Sequence, residues 1–134
     1  SNALKANDYA LAKEIVAWKE KVAAAWDGIK VLNIEASDSS NTSTGSDFAA
    51  QAVVDTNGIG KDLGLELVVY KTENGEEKFW YTKPFEIVKT DGNIVTYKLN
   101  TKLKDAGVFR YSYRLYPVNA NLPHRMDFAY TKWF

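Results

Sequence analysis

The 134-residue chain contains no cysteine. That excludes a disulfide frame and a thiolate metal site, and it fits a reducing, cytoplasmic setting. It has no surplus of either charge, with Lys plus Arg and Asp plus Glu at 17 each. Nucleic acid and acidic membrane surfaces are recognised through a positive surplus, so neither is an expected partner. No apolar run approaches the roughly 20 residues that a membrane-spanning helix needs. There is a single histidine, His124, so a metal site would have to be assembled from carboxylates, and nothing marks a serine partner that this histidine could serve as a base. No internal repeat is visible, and the length suits one domain that buries roughly two-thirds of its unfolded surface.

Apolar periodicity is present and changes once along the chain. Over residues 7–26, Leu11, Ile15, Trp18, Val22 and Trp26 recur every three or four positions, with Lys13, Glu14, Lys19, Glu20 and Lys21 between them. This spacing predicts an amphipathic helix, capped at its start by Asn7 or Asp8 and stopped at Asp27-Gly28, with Gly28 in the left-handed position beyond the helix end. Residues 1–3, Ser-Asn-Ala, read as the remnant of a cleaved expression tag. The expected division is therefore a remnant at 1–3, a helix within 4–27 and a β domain over 28–134. Two surfaces compete for the Trp18 and Trp26 stripe: the chain's own sheet, or another body such as a preceding domain or a second copy joined as a homodimer.

From Ile29 the period becomes two. Ile29, Val31, Leu32 and Ile34 form a short strand, and the polar run 37–46 is expected to be a loop. Its Asn41-Thr42-Ser43 fits a glycosylation acceptor but reads as loop sequence. Phe48, Ala50, Ala52 and Val54 mark a second strand with small inward residues, hence close packing. Residues 56–62 contain two glycines without phosphate-loop spacing and are expected to turn. Leu63, Leu65, Leu67 and Val69 mark a third strand, Asn74-Gly75 a hairpin, and residues 78–89 a fourth strand. Pro84 interrupts that strand, which places it at a sheet edge or at a bulge where the chain passes from one sheet to the other. Asp91-Gly92 makes the next turn and Val95, Tyr97 and Leu99 the fifth strand. Phe109, Tyr111, Tyr113 and Leu115 alternate with Arg110, Ser112, Arg114 and Tyr116 up to Pro117, and residues 126–134 supply a last strand whose aromatics must be tied into a sheet. The pattern is mainly β: an antiparallel immunoglobulin-like β-sandwich of about seven strands, preceded by one amphipathic helix.

Eighteen aromatics exceed what such a core obviously requires, since Trp, Tyr and Phe number 4, 8 and 6. Aromatic faces stack against sugar C–H surfaces, and Trp80, Tyr81, Tyr97, Tyr113, Tyr130 and Trp133 are candidates for a carbohydrate platform. Such a platform needs two or three outward-facing rings in a row, whereas strand alternation turns about half of them inward. In the turn Pro123-His124-Arg125, Arg125 and Asp127 would share a side, where an ion pair or bonds to loop carbonyls would fix it as a structural or docking element.

The run 107–134 also carries a resemblance. Tyr-Arg-Leu-Tyr-Pro at 113–117, Leu-Pro-His-Arg-Met-Asp-Phe at 122–128 and the aromatic end resemble the extreme C-terminus of a bacterial α-glucan (glycogen) phosphorylase-type glycosyltransferase. The closing strands of the related maltosyltransferases are similar too. The match is sharpest over 107–134 and extends in weaker form to about Gly28. It implies a non-catalytic C-terminal accessory domain whose partners are the parent's catalytic domain and α-glucan. It implies for the parent a reversible transfer of glucosyl units between an α-1,4-glucan and phosphate, with pyridoxal phosphate on a lysine. That lysine lies upstream of the matched residues, so no catalytic position and no cofactor carry over to this chain. A free-standing carbohydrate-binding module and an oligomerisation domain are the alternatives.

Overall fold

The structure, a computed structural model, describes residues 2–39, 46–103, 109–121 and 130–134. One helix, α1 (Asn2–Ala25), tightens into a 3-10 turn (Trp26–Gly28) and is followed by eight strands. These are β1 (Lys30–Ser39), β2 (Ser46–Asp55), β3 (Leu63–Glu73), β4 (Glu76–Pro84), β5 (Glu86–Asp91), β6 (Ile94–Leu103), β7 (Phe109–Pro117) and β8 (Lys132–Trp133). They form two four-stranded sheets, ordered β1-β2-β6-β5 (sheet A) and β4-β3-β7-β8 (sheet B), with every pairing antiparallel. Lettered in chain order, this is ABED against C′CFG, the strand order of an immunoglobulin-type sandwich. With no cysteine for an inter-sheet bridge and no tryptophan on β3, the likeness stops at strand order.

Among the described residues eight strands appear where seven are expected, because Pro84 divides the fourth. β4 lies on the edge of sheet B and β5 on the edge of sheet A, and the chain crosses between them at Phe85, whose N–H donates to the Leu65 carbonyl at 2.9 Å. Carbonyls two residues apart on a strand point the same way, so Leu63 O faces the space that the departing strand has left. Tyr97 Oη, on β6 of the opposite sheet, reaches across and donates to that carbonyl at 2.5 Å. Tyr97 fits there because Ala52, of zero exposure, is its direct partner on β2. The small inward residues of β2 thus make room for a tyrosine that bridges the layers.

The inward faces supply one core: Phe48, Ala50, Ala52, Val54, Val95, Tyr97 and Leu99 from sheet A, and Leu63, Leu65, Leu67, Val69 and Leu115 from sheet B. The last strand closes it. Phe134 N–H donates to Tyr113 O at 3.0 Å, Tyr113 N–H donates to Phe134 O at 3.1 Å, and the Phe134 and Tyr113 rings stack at 5.4 Å.

Several boundaries differ from expectation. β1 runs to Ser39 and β2 starts at Ser46, so the ends of the polar run 37–46 are strand, held by a continuous β1–β2 register from Asn33↔Val53 to Ser39↔Asp47. Residues 40–45 lie outside the described residues. The β5–β6 turn is Gly92-Asn93, not Asp91-Gly92: Asp91 pairs with Ile94, and φ is positive (59°) at Gly92 alone. That is the pattern of a type II′ turn, whereas Asn74-Gly75, with φ of 51° and 78°, has the positive pair that type I′ requires. In the 56–62 turn, N–H groups of Thr56, Asn57, Ile59 and Gly60 are all bonded within the protein, which leaves none of them to cradle a phosphate.

The helix also departs from its predicted caps. It starts at Asn2, which puts Asn7 and Asp8 inside it, and Gly28 is not left-handed. Gly28 is required by close approach instead: a Cβ there would lie 2.3 Å from Asn57 Nδ2. That amide donates to the Ala25 carbonyl at 3.0 Å, and Lys132 Nζ lies 3.5 Å from the Trp26 carbonyl. The open carbonyls at the helix end are therefore met by side chains of the sandwich. Val22 and Trp26 are buried, Trp26 packs on Tyr130 at 5.4 Å, and Trp18 Nε1 donates to Asp62 at 3.1 Å. The stripe serves the chain's own sandwich over its last turns. No helix among the described residues is long and apolar enough to cross a membrane.

Candidate functional site

The aromatics singled out from sequence separate into four places. Tyr97 is 1 % exposed and bridges the layers, so it belongs to the core and to no surface platform. Burial, and secondarily the neighbouring Tyr116, pushes its hydroxyl well above the usual tyrosine range. Tyr113 also faces inward, edge-on to Phe85 at 6.1 Å and stacked on Phe134, and its pKa is raised by burial and then by Tyr111. Tyr130 is packed on Trp26. Trp133, on β8, lies at the opposite edge of sheet B from Trp80 and Tyr81, with two strands between. At about 4.8 Å per strand that separation breaks any continuous row. Pro123, His124, Arg125 and Asp127 lie outside the described residues.

Trp80 and Tyr81 remain together, and a bulge is the reason. β3 and β4 pair Val69 with Tyr81 and Tyr70 with Phe79, leaving Trp80 as the extra residue. Tyr81 and Lys83 take inward-facing positions opposite Val69 and Leu67, and the bulge re-aims the indole next to them. Because β4 is an edge strand, this side is open. Trp80, Tyr81, Thr82 and Lys83 line a groove of about 300 Å³. Trp80 is 42 % exposed. Lys71 Nζ sits 4.3 Å from the centre of its ring and 3.3 Å from Glu73, and Lys83 Nζ sits 5.8 Å from the centre of the Tyr81 ring.

The outer face of sheet B holds a second arrangement. Strand register sets Phe79, Tyr70 and Arg110 in one row and Pro84, Glu66, Arg114 and Trp133 in another, with Val68 between. Arg110 Nε donates to both Glu77 carboxylate oxygens at 2.8 Å, and its guanidinium lies 4.4 Å over the Tyr70 ring. This bond holds the exposed Glu77 carboxyl below the usual carboxylate range. Arg114 Nε donates to Glu66 at 2.6 Å, and its guanidinium lies 5.0 Å from the Trp133 ring. Each of these rings therefore has a cation over one face. Each of these cations has a carboxylate. Although on an outward face, Val68 is 1 % and Glu66 3 % exposed.

Sequence reasoning found Trp80, Tyr81 and Trp133 but passed over Lys71, Lys83, Glu66, Glu77, Arg110 and Arg114. The alternation of Arg110 and Arg114 with inward aromatics was a signal, but their partners emerge only once the register of β3 against β7 is known. No cluster of three or more metal-ligating side chains is found among the described residues.

No curated protein and no solved structure matches the chain. The glycogen phosphorylase C-terminal domain family matches residues 26–134, from the Trp26 turn through all eight strands to Phe134. The chain thus belongs to the glycogen phosphorylase C-terminal domain family.

Proposed function

We propose that this is a non-catalytic accessory domain of a phosphorylase-type glycosyltransferase, which docks on the enzyme's catalytic part through the far side of α1. The parent would move glucosyl units between an α-1,4-glucan and phosphate, in the cytoplasm, with its pyridoxal phosphate held elsewhere. One observation carries the reading. Trp18 and Val22 pack on the sandwich and Leu11, on the same stripe, is still 39 % exposed, while Tyr9 and Val16, two turns apart on the other side of the helix, are 64 % and 55 % exposed. A helix with apolar side chains on both sides belongs between two bodies. Its end is bonded to the sandwich by Asn57 and Lys132, so a contact on the far side would be transmitted rigidly.

The test is made in the intact parent polypeptide. Replacing Tyr9 and Val16 by Ser should expose α1 to limited proteolysis and split one thermal transition into two. The same pair of substitutions in the isolated chain should move stability by no more than about 0.5 kcal/mol, as exposed positions do. An intact parent with unchanged proteolysis and one transition would rule out docking through this side. So would a large loss of stability in the isolated chain, which would show that the side is already occupied.

A further inference from the structure

The tail holds to sheet B by little of its own. β8 pairs through two residues, opposite Arg114 and Leu115, and the next residue, Phe134, exchanges both backbone bonds with Tyr113 and stacks on its ring. So short a ladder does not by itself offset the entropy of ordering residues 130–134. Further hold comes from α1. The buried Trp26 ring packs on Tyr130, and Lys132 Nζ reaches the Trp26 carbonyl. Where the chain leaves β7 the helix is present again: Val118 N–H donates to the Asp62 carbonyl at 2.7 Å, and the Asp62 carboxylate accepts from Trp18 Nε1. Asp62 thus ties the exit from β7 to α1, and Trp26 ties the return at β8 to it.

We infer that α1 and residues 130–134 form a mutual latch: the tail stays on sheet B while the last turn of α1 is seated, and unseating that turn releases the tail and opens the β7 edge at residues 113–115. The helix is a lever because it is anchored at one end. Residues 8–14 and 16–17 are exposed, Ile15 and Trp18 are half-buried, and the buried positions are Val22, Ala25 and Trp26. A force on the first turns therefore falls on a few contacts: Asn57 on the Ala25 carbonyl, Trp18 on Asp62 and Lys132 on the Trp26 carbonyl. Coupling of this kind works in both directions, so loss of the tail loosens the helix end by the factor with which loss of the helix end loosens the tail. What moves α1 in the parent rests on the docking reading; the latch itself does not. Its consequence there is that docking, by fixing α1, also fixes the last strand and keeps the β7 edge covered.

The test is native-state amide hydrogen exchange of the 134-residue chain, read residue by residue by NMR. In the unaltered chain the Phe134 and Tyr113 amides should exchange together and faster than those of Val54 and Val95 in the middle of sheet A, because they open without global unfolding. Asn57→Ala, which removes a partner of the helix end, should speed Phe134 and Tyr113 about fivefold. Tyr130→Ala should in turn speed the Val22 and Trp26 amides. With Tyr130→Ala and Lys132→Met both in place the link is cut, and Asn57→Ala should then leave Phe134 unchanged. Exchange at Phe134 indifferent to Asn57→Ala in the otherwise unaltered chain would end the proposal. So would Phe134 exchanging no faster than Val54 and Val95, since the tail would then leave only with the whole fold. An Asn57→Ala effect that persists after the link is cut would reduce the latch to general loosening and overturn it too. Docking through Tyr9 and Val16 is read out in the parent by proteolysis, so either proposal can fail without the other.

Discussion

Glu66 and Arg114 form an ion pair on the outer face of a sheet, yet the side chains are only 4 % and 21 % exposed. They face each other directly across β3 and β7, and the guanidinium is roofed by Trp133 at 5.0 Å. Breaking a buried pair from one side typically costs about 3–5 kcal/mol, because the remaining charge stays out of water. Arg114→Leu leaves the more deeply buried member behind and should cost about 3 kcal/mol, the lower end because the arginine is partly wet. Glu66→Leu leaves a guanidinium that can turn toward solvent and should cost about 1–2 kcal/mol. The Leu/Leu double variant removes both charges and should be more stable than Arg114→Leu alone, giving a coupling energy of about 2 kcal/mol in a double-mutant cycle. Urea unfolding followed by fluorescence reads this directly, provided the slope m stays constant across the variants. The exposed Lys102–Asp47 pair, 3.8 Å apart with side chains 83 % and 71 % exposed, is the internal control and should couple by less than about 0.5 kcal/mol. A Glu66–Arg114 coupling as small as the control's would show that burial is not what makes this pair matter.

Three further outcomes follow from the core and the helix joint. Tyr97→Phe leaves the Leu63 carbonyl without its cross-layer donor and should lower stability by about 1–2 kcal/mol in urea unfolding, with an unchanged fold by circular dichroism. The raised pKa values of Tyr97 and Tyr113 mean that their neutral forms support the fold fully below the unfolded value of 10.0, and that this support is lost as pH rises through the folded values. Spectrophotometric titration should therefore show tyrosines that ionise only with alkaline unfolding, and fewer of them in Tyr97→Phe; ionisation of every tyrosine near pH 10 in the folded chain would contradict the burial. Gly28→Ala should push the Asn57 amide off the Ala25 carbonyl and cost about 1–2 kcal/mol. In an Asn57→Gly background the same alanine should cost much less, and equal costs in both backgrounds would refute the close-approach account.

The strand architecture was legible because side-chain alternation is a local property, and Pro84, Asn74-Gly75 and the small residues of β2 each carry a local physical reason. The helix caps were not. Asn7 and Asp8 are good caps in isolation, but nothing near them stops a helix from running back to Asn2, and the true end is set by Asn57, thirty-two positions from Ala25 in sequence. Gly28 shows the same limit, since its constraint is another residue's side chain. Of the proposed platform, pattern alone could say that about half the aromatics face inward but not which half. Tyr97 and Tyr113 are inward because they share a face with Val95 and Leu115, whereas Trp80 escapes alternation through a bulge that no propensity announces.

Three strands at sheet edges carry a bulge, and the extra residue is Leu32 on β1, Trp80 on β4 and Val88 on β5, exposed at 51, 42 and 53 %. Bulges interrupt the ladder of free N–H and C=O groups that would otherwise recruit a further strand, so these edges are protected from sheet extension. Sheet B's outer face is quieted by other means, with cations over Tyr70 and Trp133 and carboxylates on those cations. A domain that neutralises its edges and its broad face in this way has its most evident unmet demand elsewhere, on the apolar far side of α1. That side calls for an apolar protein surface. Docking is therefore separable from the sheet edges, and a substitution on β4 such as Lys83→Gln should leave it unchanged in the intact parent.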